Sequence, residues 1–222
     1  MSDQKLRELE RRWRESGSVE DEAAYLRERV RVGDLTQERL ELAAYCGHEG
    51  ALRVTQLSPC QPSPEALTER ATAVGKRVVA LIALTVADLV LEKSGEEDDA
   101  RAGLLIGWEY LRGGSKDCEQ RAKQWVAEYQ RAVHERPRIS LAARTVLCAM
   151  WTVASGDDDA RVLESIKTGL PYRMLGNFRE SGALAVRDGL RFLQDVDRDV
   201  LRRRLIAAVE LYALTGEITR HV

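Results

Sequence analysis

Apolar residues recur three and four positions apart along most of this 222-residue chain, the spacing that lines one face of an α-helix. Leu6, Leu9 and Trp13 form the stripe of a first helix that stops at Ser16 and Gly17. Ser18 with Asp21 opens a second helix in the manner of a capping box, carrying Ala23, Tyr25, Leu26 and Val30 up to Gly33. Thr36 caps a third, with Leu40, Leu42, Ala43 and Ala44 inside and Gly47 behind it.

The pattern breaks at LSPCQPSP, residues 57–64, where three prolines fix φ and remove backbone donors. This divides the chain into an N-terminal subdomain of three or four helices over 1–57, a linker over 58–64 and a C-terminal helical domain over 65–222. Ser63 and Pro64 start the next helix, because proline at the first helical position gives up only a donor that would be unpaired anyway. The most apolar run, Val78 to Leu91, follows as a helix to about Lys93. It would span roughly 21 Å against about 30 Å of hydrocarbon, and Asp88 interrupts it, so it reads as a central buried helix.

Leu104, Leu105, Trp108 and Leu111 make the next stripe, ending at Gly113 and Gly114; Gly103 and Gly107 are expected to share a face and admit a close neighbour. A helix from Ser115 carries Ala122, Trp125, Val126, Tyr129 and Val133 and ends near Pro137. Ser140 opens another with Leu141, Val146, Leu147, Met150 and Trp151; a short one runs from Asp157 to about Thr168. Two more cover about 179–194 and 198–214. Some ten helices with short connections predict an all-α, irregular multi-helix bundle. A short α-solenoid of the HEAT or tetratricopeptide kind is the alternative, but no motif repeats at a fixed period.

Composition sharpens this outline. With 44% hydrophobic and 32% charged residues the chain can build a core, and 34 basic against 36 acidic side chains leave no field to draw in nucleic acid or an anionic membrane. Four cysteines without a Cys-x-x-Cys pair read as reduced thiols, and the charged N-terminus lacks the apolar stretch of a secretory signal; the expected compartment is the cytoplasm. His48, His134 and His221 are far apart, and no phosphate loop, nucleophile elbow or metal-ligand spacing is present, so no cofactor, metal or catalytic residue is expected. The acidic runs Glu96 to Asp99 and Asp157 to Asp159 sit where helices start, and the helix dipole accounts for both.

Two segments suggest binding. In 35–57 the chain has the flavour of a helix-turn-helix, but the helix after Gly47 offers only Arg53 to a phosphate, and Glu41 and Glu49 would oppose it. Arg202, Arg203 and Arg204 form the densest basic cluster and read as a solvated face. Tyr172, Arg173, Met174, Phe178 and Arg179 crowd into an expected loop, and these are residue types enriched where partners anchor. The competing reading there is that Met174, Leu175 and Phe178 cover helix ends.

Leu6 to Val54, with Leu-x-x-Leu-x-x-x-Trp and then SVEDEAAYLRERVRVGDLTQERLELAAY, resembles a block near the start of many uncharacterised bacterial all-helical proteins. Asp99 to Gly113, DARAGLLIGWEYLRG, resembles the Ala-rich, Trp-containing helix of immunity proteins of toxin systems, although an acidic run replaces the proline-arginine opening common in those proteins. Together the blocks cover under a third of the chain. The resemblance implies a non-enzymatic binder of a protein partner, a toxin or a signalling protein, and transfers no functional residue. A DNA-binding regulator using 35–57 and a helical enzyme with a dispersed site are the alternatives.

Overall fold

The computed structural model describes residues 2–95, 98–134, 140–155 and 177–218. The described residues form eleven helices and no strand, an all-α multi-helix bundle. In chain order they are α1 (Ser2–Ser16), α2 (Val19–Val32), α3 (Gln37–Tyr45), α4 (Glu49–Thr55), α5 (Pro64–Ala71), α6 (Lys76–Ser94), α7 (Asp98–Gly113), α8 (Lys116–His134), α9 (Leu141–Ala154), α10 (Phe178–Phe192) and α11 (Asp195–Thr215). None of the described helices is long and apolar enough to cross a membrane. The expected short helix after Asp157 and the segment 169–176 lie outside the described residues.

Two compact units emerge. One comprises Met1–Ser63 with Ile206–Glu217, the other Pro64–Leu205 with Ile218–Val222. The end of α11 thus groups with the N-terminal helices.

In the first unit local capping sets the helix boundaries. Ser18 accepts the amide of Asp21 and Thr36 that of Arg39, so two otherwise unpaired donors are satisfied within three residues of each cap. α1 packs along α2 through the half-buried Leu6, Leu9 and Trp13, with Trp13 stacked on Tyr25 at 5.4 Å. Charge fixes the pairing: Arg12 meets Asp21 at 2.6 Å, and Lys5 meets the buried Glu28 at 3.3 Å. The last carbonyls of α11 are taken up by the Gly216 amide, which donates to Tyr212 at 2.8 Å, and by arginines. Arg39 donates to Tyr212 and Ala213, each at 2.9 Å, and Arg29 donates to Leu214 at 2.8 Å.

The second unit is built around α6. Val78 through Leu84 are completely buried without a polar interruption, so this part of the helix has no solvent face, as its unbroken apolar run implies. Each of its larger side chains contributes roughly 1.5–3 kcal/mol by leaving water. α9 and α10 pack against it and each other, and α5 and α7 complete the wrapping. Two of its polar side chains are satisfied within the unit: the Thr85 hydroxyl donates to Leu81 at 2.8 Å, and Asp88 accepts the indole N–H of Trp108 of α7 at 2.7 Å. The helix that starts at Pro64 and the apolar helix after it are separated at Gly75, which takes φ 126°, a conformation that L residues rarely adopt.

Glycines set the closest approaches. A Cβ at Gly182 would collide with the Val79 side chain, and one at Gly189 with that of Val86, so α10 lays its backbone directly on side chains of α6. Gly103 and Gly107 do not admit a single neighbour as expected: Gly103 receives Trp125 of α8, while Gly107 receives Leu84 of α6 and Met150 of α9. Between α9 and α10 the carboxylate of the buried Asp188 takes two hydrogen bonds from Arg144, at 2.6 and 2.9 Å.

Candidate functional site

Tyr172, Arg173 and Met174 lie outside the described residues, as do Glu96, Glu97 and Asp157 to Asp159. Phe178 does not sit in a loop: it is the first residue of α10, behind an Asn177 cap whose side chain accepts the Glu180 amide at 3.0 Å. Its ring is buried in the second unit. Arg179 remains exposed, its guanidinium 5.6 Å from the centre of that ring. The two residues are brought together, but only the arginine faces solvent.

The helix-turn-helix segment forms α3 and α4. α4 has seven residues, and Arg53, its cation, pairs with Glu20 at 3.2 Å. Arg204 pairs with Glu92 at 2.9 Å, and Arg202 lies 4.0 Å from Asp199.

The exposed face of α7 departs from an ordinary charged surface. Arg101, Leu105, Glu109 and Arg112 project to one side of α7 at successive turns, and all four are exposed. Leu105 is 52% exposed, the most exposed large hydrophobic among the described residues. Gly103, two residues from Leu105 and so turned to a different side of α7, receives the half-buried Trp125 of α8, whose ring any side chain there would displace. Its indole N–H donates to the Asp99 carbonyl at 3.1 Å, and Tyr129 stacks on it at 4.5 Å. This tryptophan is therefore fixed in orientation. Arg121 and Glu109 close the rim with an ion pair at 2.6 Å.

A second arrangement belongs to the first unit and escaped the sequence reading. His48 is the N-cap of α4: its Nδ1 accepts the Ala51 amide at 3.2 Å, which leaves Nε2 facing Glu22 Oε1 of α2 at 3.5 Å. Gly50 makes room for that carboxylate, since a Cβ there would stand 2.5 Å from Glu22 Oε2. Glu210 of α11 lies within electrostatic reach of both, and burial pushes its carboxyl above the usual carboxylate range. Cys46, just after α3, is buried nearby, and burial followed by the Glu210 charge pushes its thiol up to about 12. Only histidine's use as a helix cap could have signalled this cluster from sequence, and it is a weak signal. Among the described residues no three His, Cys, Asp or Glu side chains are grouped to hold a metal ion.

Compared with protein-family models, curated proteins and solved structures, the chain gives no match.

Proposed function

We propose that this chain is a non-catalytic helical module of a reducing, cytoplasmic compartment that acts by binding a protein partner, as a toxin-neutralising immunity protein or a regulatory adaptor. The observation that carries the reading is the exposed face of α7. Leu105 is an aliphatic side chain held out in water, ringed by Arg101, Glu109 and Arg112. Binding energy in protein interfaces concentrates in a few anchors with a rim of other contacts around them. Arg179, exposed at the start of α10, supplies a further contact of the same type.

Leu105→Glu tests it. The substitution sits on an exposed helix position and should leave helicity and unfolding midpoint unchanged. A stoichiometric protein partner recovered with the wild-type chain should then lose at least about tenfold in affinity. A partner that binds the variant as tightly as wild type would move the interface elsewhere. The second reading, a helical enzyme with a dispersed site, draws on the meeting of Glu22, His48 and Glu210. It requires a small-molecule ligand that raises the melting temperature of the wild type and not that of His48→Asn.

A further inference from the structure

Cys60 lies in the connector between α4 and α5, exposed, and its thiol is directed at the main chain of α3: Sγ lies 3.6 Å from the carbonyl oxygen of Tyr45, the residue before Cys46. A peptide oxygen stands about 2.8 Å from the next Cα, which places Cys60 Sγ within about 6.5 Å of the Cys46 Cα. A disulfide needs that separation to fall to roughly 4 Å. A movement of about 2–3 Å by an exposed connector residue, or a change of its χ1, supplies it. The two thiols are within electrostatic reach of each other, and both are free.

We propose that Cys46 and Cys60 form a reversible intrachain disulfide, making the first unit a thiol–disulfide switch that fastens α4. The ring so closed contains His48, all of α4 and its left-handed cap Gln56, whose φ is 57°. Seven residues make a helix that is marginal alone, so closing its flanks acts on the least self-sufficient element of the unit.

The co-reactant is a low-molecular-weight disulfide. The Cys60 thiolate attacks one of its sulfurs; the reagent's S–S bond breaks, one thiol departs with the Cys60 proton, and Cys60 carries a mixed disulfide. Cys46 then attacks the Cys60 sulfur and expels the second thiol, which takes up the Cys46 proton. Two protein thiols are oxidised and one disulfide is reduced to two thiols. The order follows from exposure: Cys60 meets the reagent, and Cys46, buried with its thiol pushed up to about 12, resolves the adduct slowly.

The full chain is incubated with oxidised glutathione and followed by intact mass and non-reducing peptide mapping. One glutathione adduct on Cys60 should appear and then decay into a species lacking two hydrogens, with a peptide linking Cys46 to Cys60. Hydrogen exchange in α4 should slow on the order of tenfold or more and return to its reduced rate with dithiothreitol. In Cys46→Ser the adduct should persist, and in Cys60→Ser neither adduct nor link should form. Should Cys46→Ser fail to fold, the wild-type linkage and its effect on α4 decide the matter. A persistent Cys60 adduct in the wild type, a link through Cys118 or Cys148, or unchanged exchange in α4 would overturn the proposal.

Discussion

Gly50, Gly182 and Gly189 each face a side chain that a methyl group would strike, yet their substitution should not cost the same. The obstacles for Gly182 and Gly189 are Val79 and Val86, β-branched residues buried in α6 that cannot swing aside. Gly182→Ala and Gly189→Ala should each lower stability by roughly 1–3 kcal/mol in urea unfolding. At Gly50 the obstacle is the Glu22 side chain, which can rotate away from His48. Gly50→Ala should fall within about 1 kcal/mol of wild type, because helix propensity offsets the lost pairing.

Two glutamates of the first unit titrate in opposite senses. Hydrogen bonds from Arg31, helped by Lys5, hold Glu28 down to about 2 from its ordinary 4.5. Its contribution is therefore complete above about 4.5 and is lost as the pH falls toward 2. Glu210 is shifted upward, chiefly by burial, so folding is favoured when it is protonated and loses that support as the pH rises through its raised value. Glu210→Gln should then match wild type in mild acid and exceed it near neutrality, a difference that paired melting curves at pH 5 and pH 8 will register.

At the scale of elements, α1 is the part most dependent on charge. None of Leu6, Leu9 and Trp13 is fully buried, and its partner is α2 alone among the described helices with more than incidental contact. Removing both of its ion pairs to α2, with Lys5→Ala and Arg12→Ala, should free α1 before the rest of the chain unfolds, seen as loss of amide protection over 2–16 while α6 stays protected.

The sequence reading succeeded where the cause was local. Caps at Ser18, Thr36 and Ser140 were legible because each side chain answers an amide three residues ahead. α6 was legible because no polar stripe interrupts its first turns. The stop at Gly75 was not, since a single glycine inside a helical pattern reads as tolerated unless its φ is known. The candidate faces were harder still. Leu105 and Phe178 are both large apolar residues on helices, and nothing in the one-dimensional pattern says that the first faces water and the second the core. The Glu22, His48 and Glu210 cluster joins residues nearly 190 positions apart, and no spacing rule spans that.

For the whole molecule, the same long-range character governs how the units are completed. The α9–α10 contact of the second unit includes a buried ion pair, and Asp188→Ala, which removes two charge-assisted hydrogen bonds from Arg144, should cost roughly 1.5–3 kcal/mol in denaturant unfolding. The first unit relies on the end of α11, whose carbonyls accept from Arg29 and Arg39. Arg39→Ala should cost roughly 1.5–3 kcal/mol, read as early loss of protection in α3 and the last turns of α11.

Because Ile206–Glu217 belongs with Met1–Ser63, synthesis of the chain imposes a delay. At about 5–20 residues per second, the opening helices wait on the order of ten seconds or more after leaving the ribosome before the stretch they pack with has even been translated. During that interval Arg29 and Arg39 have no carbonyls of α11 to meet. A nascent chain stalled just short of Ile206 should therefore be cut by protease within its first unit, and one released after Glu217 should resist.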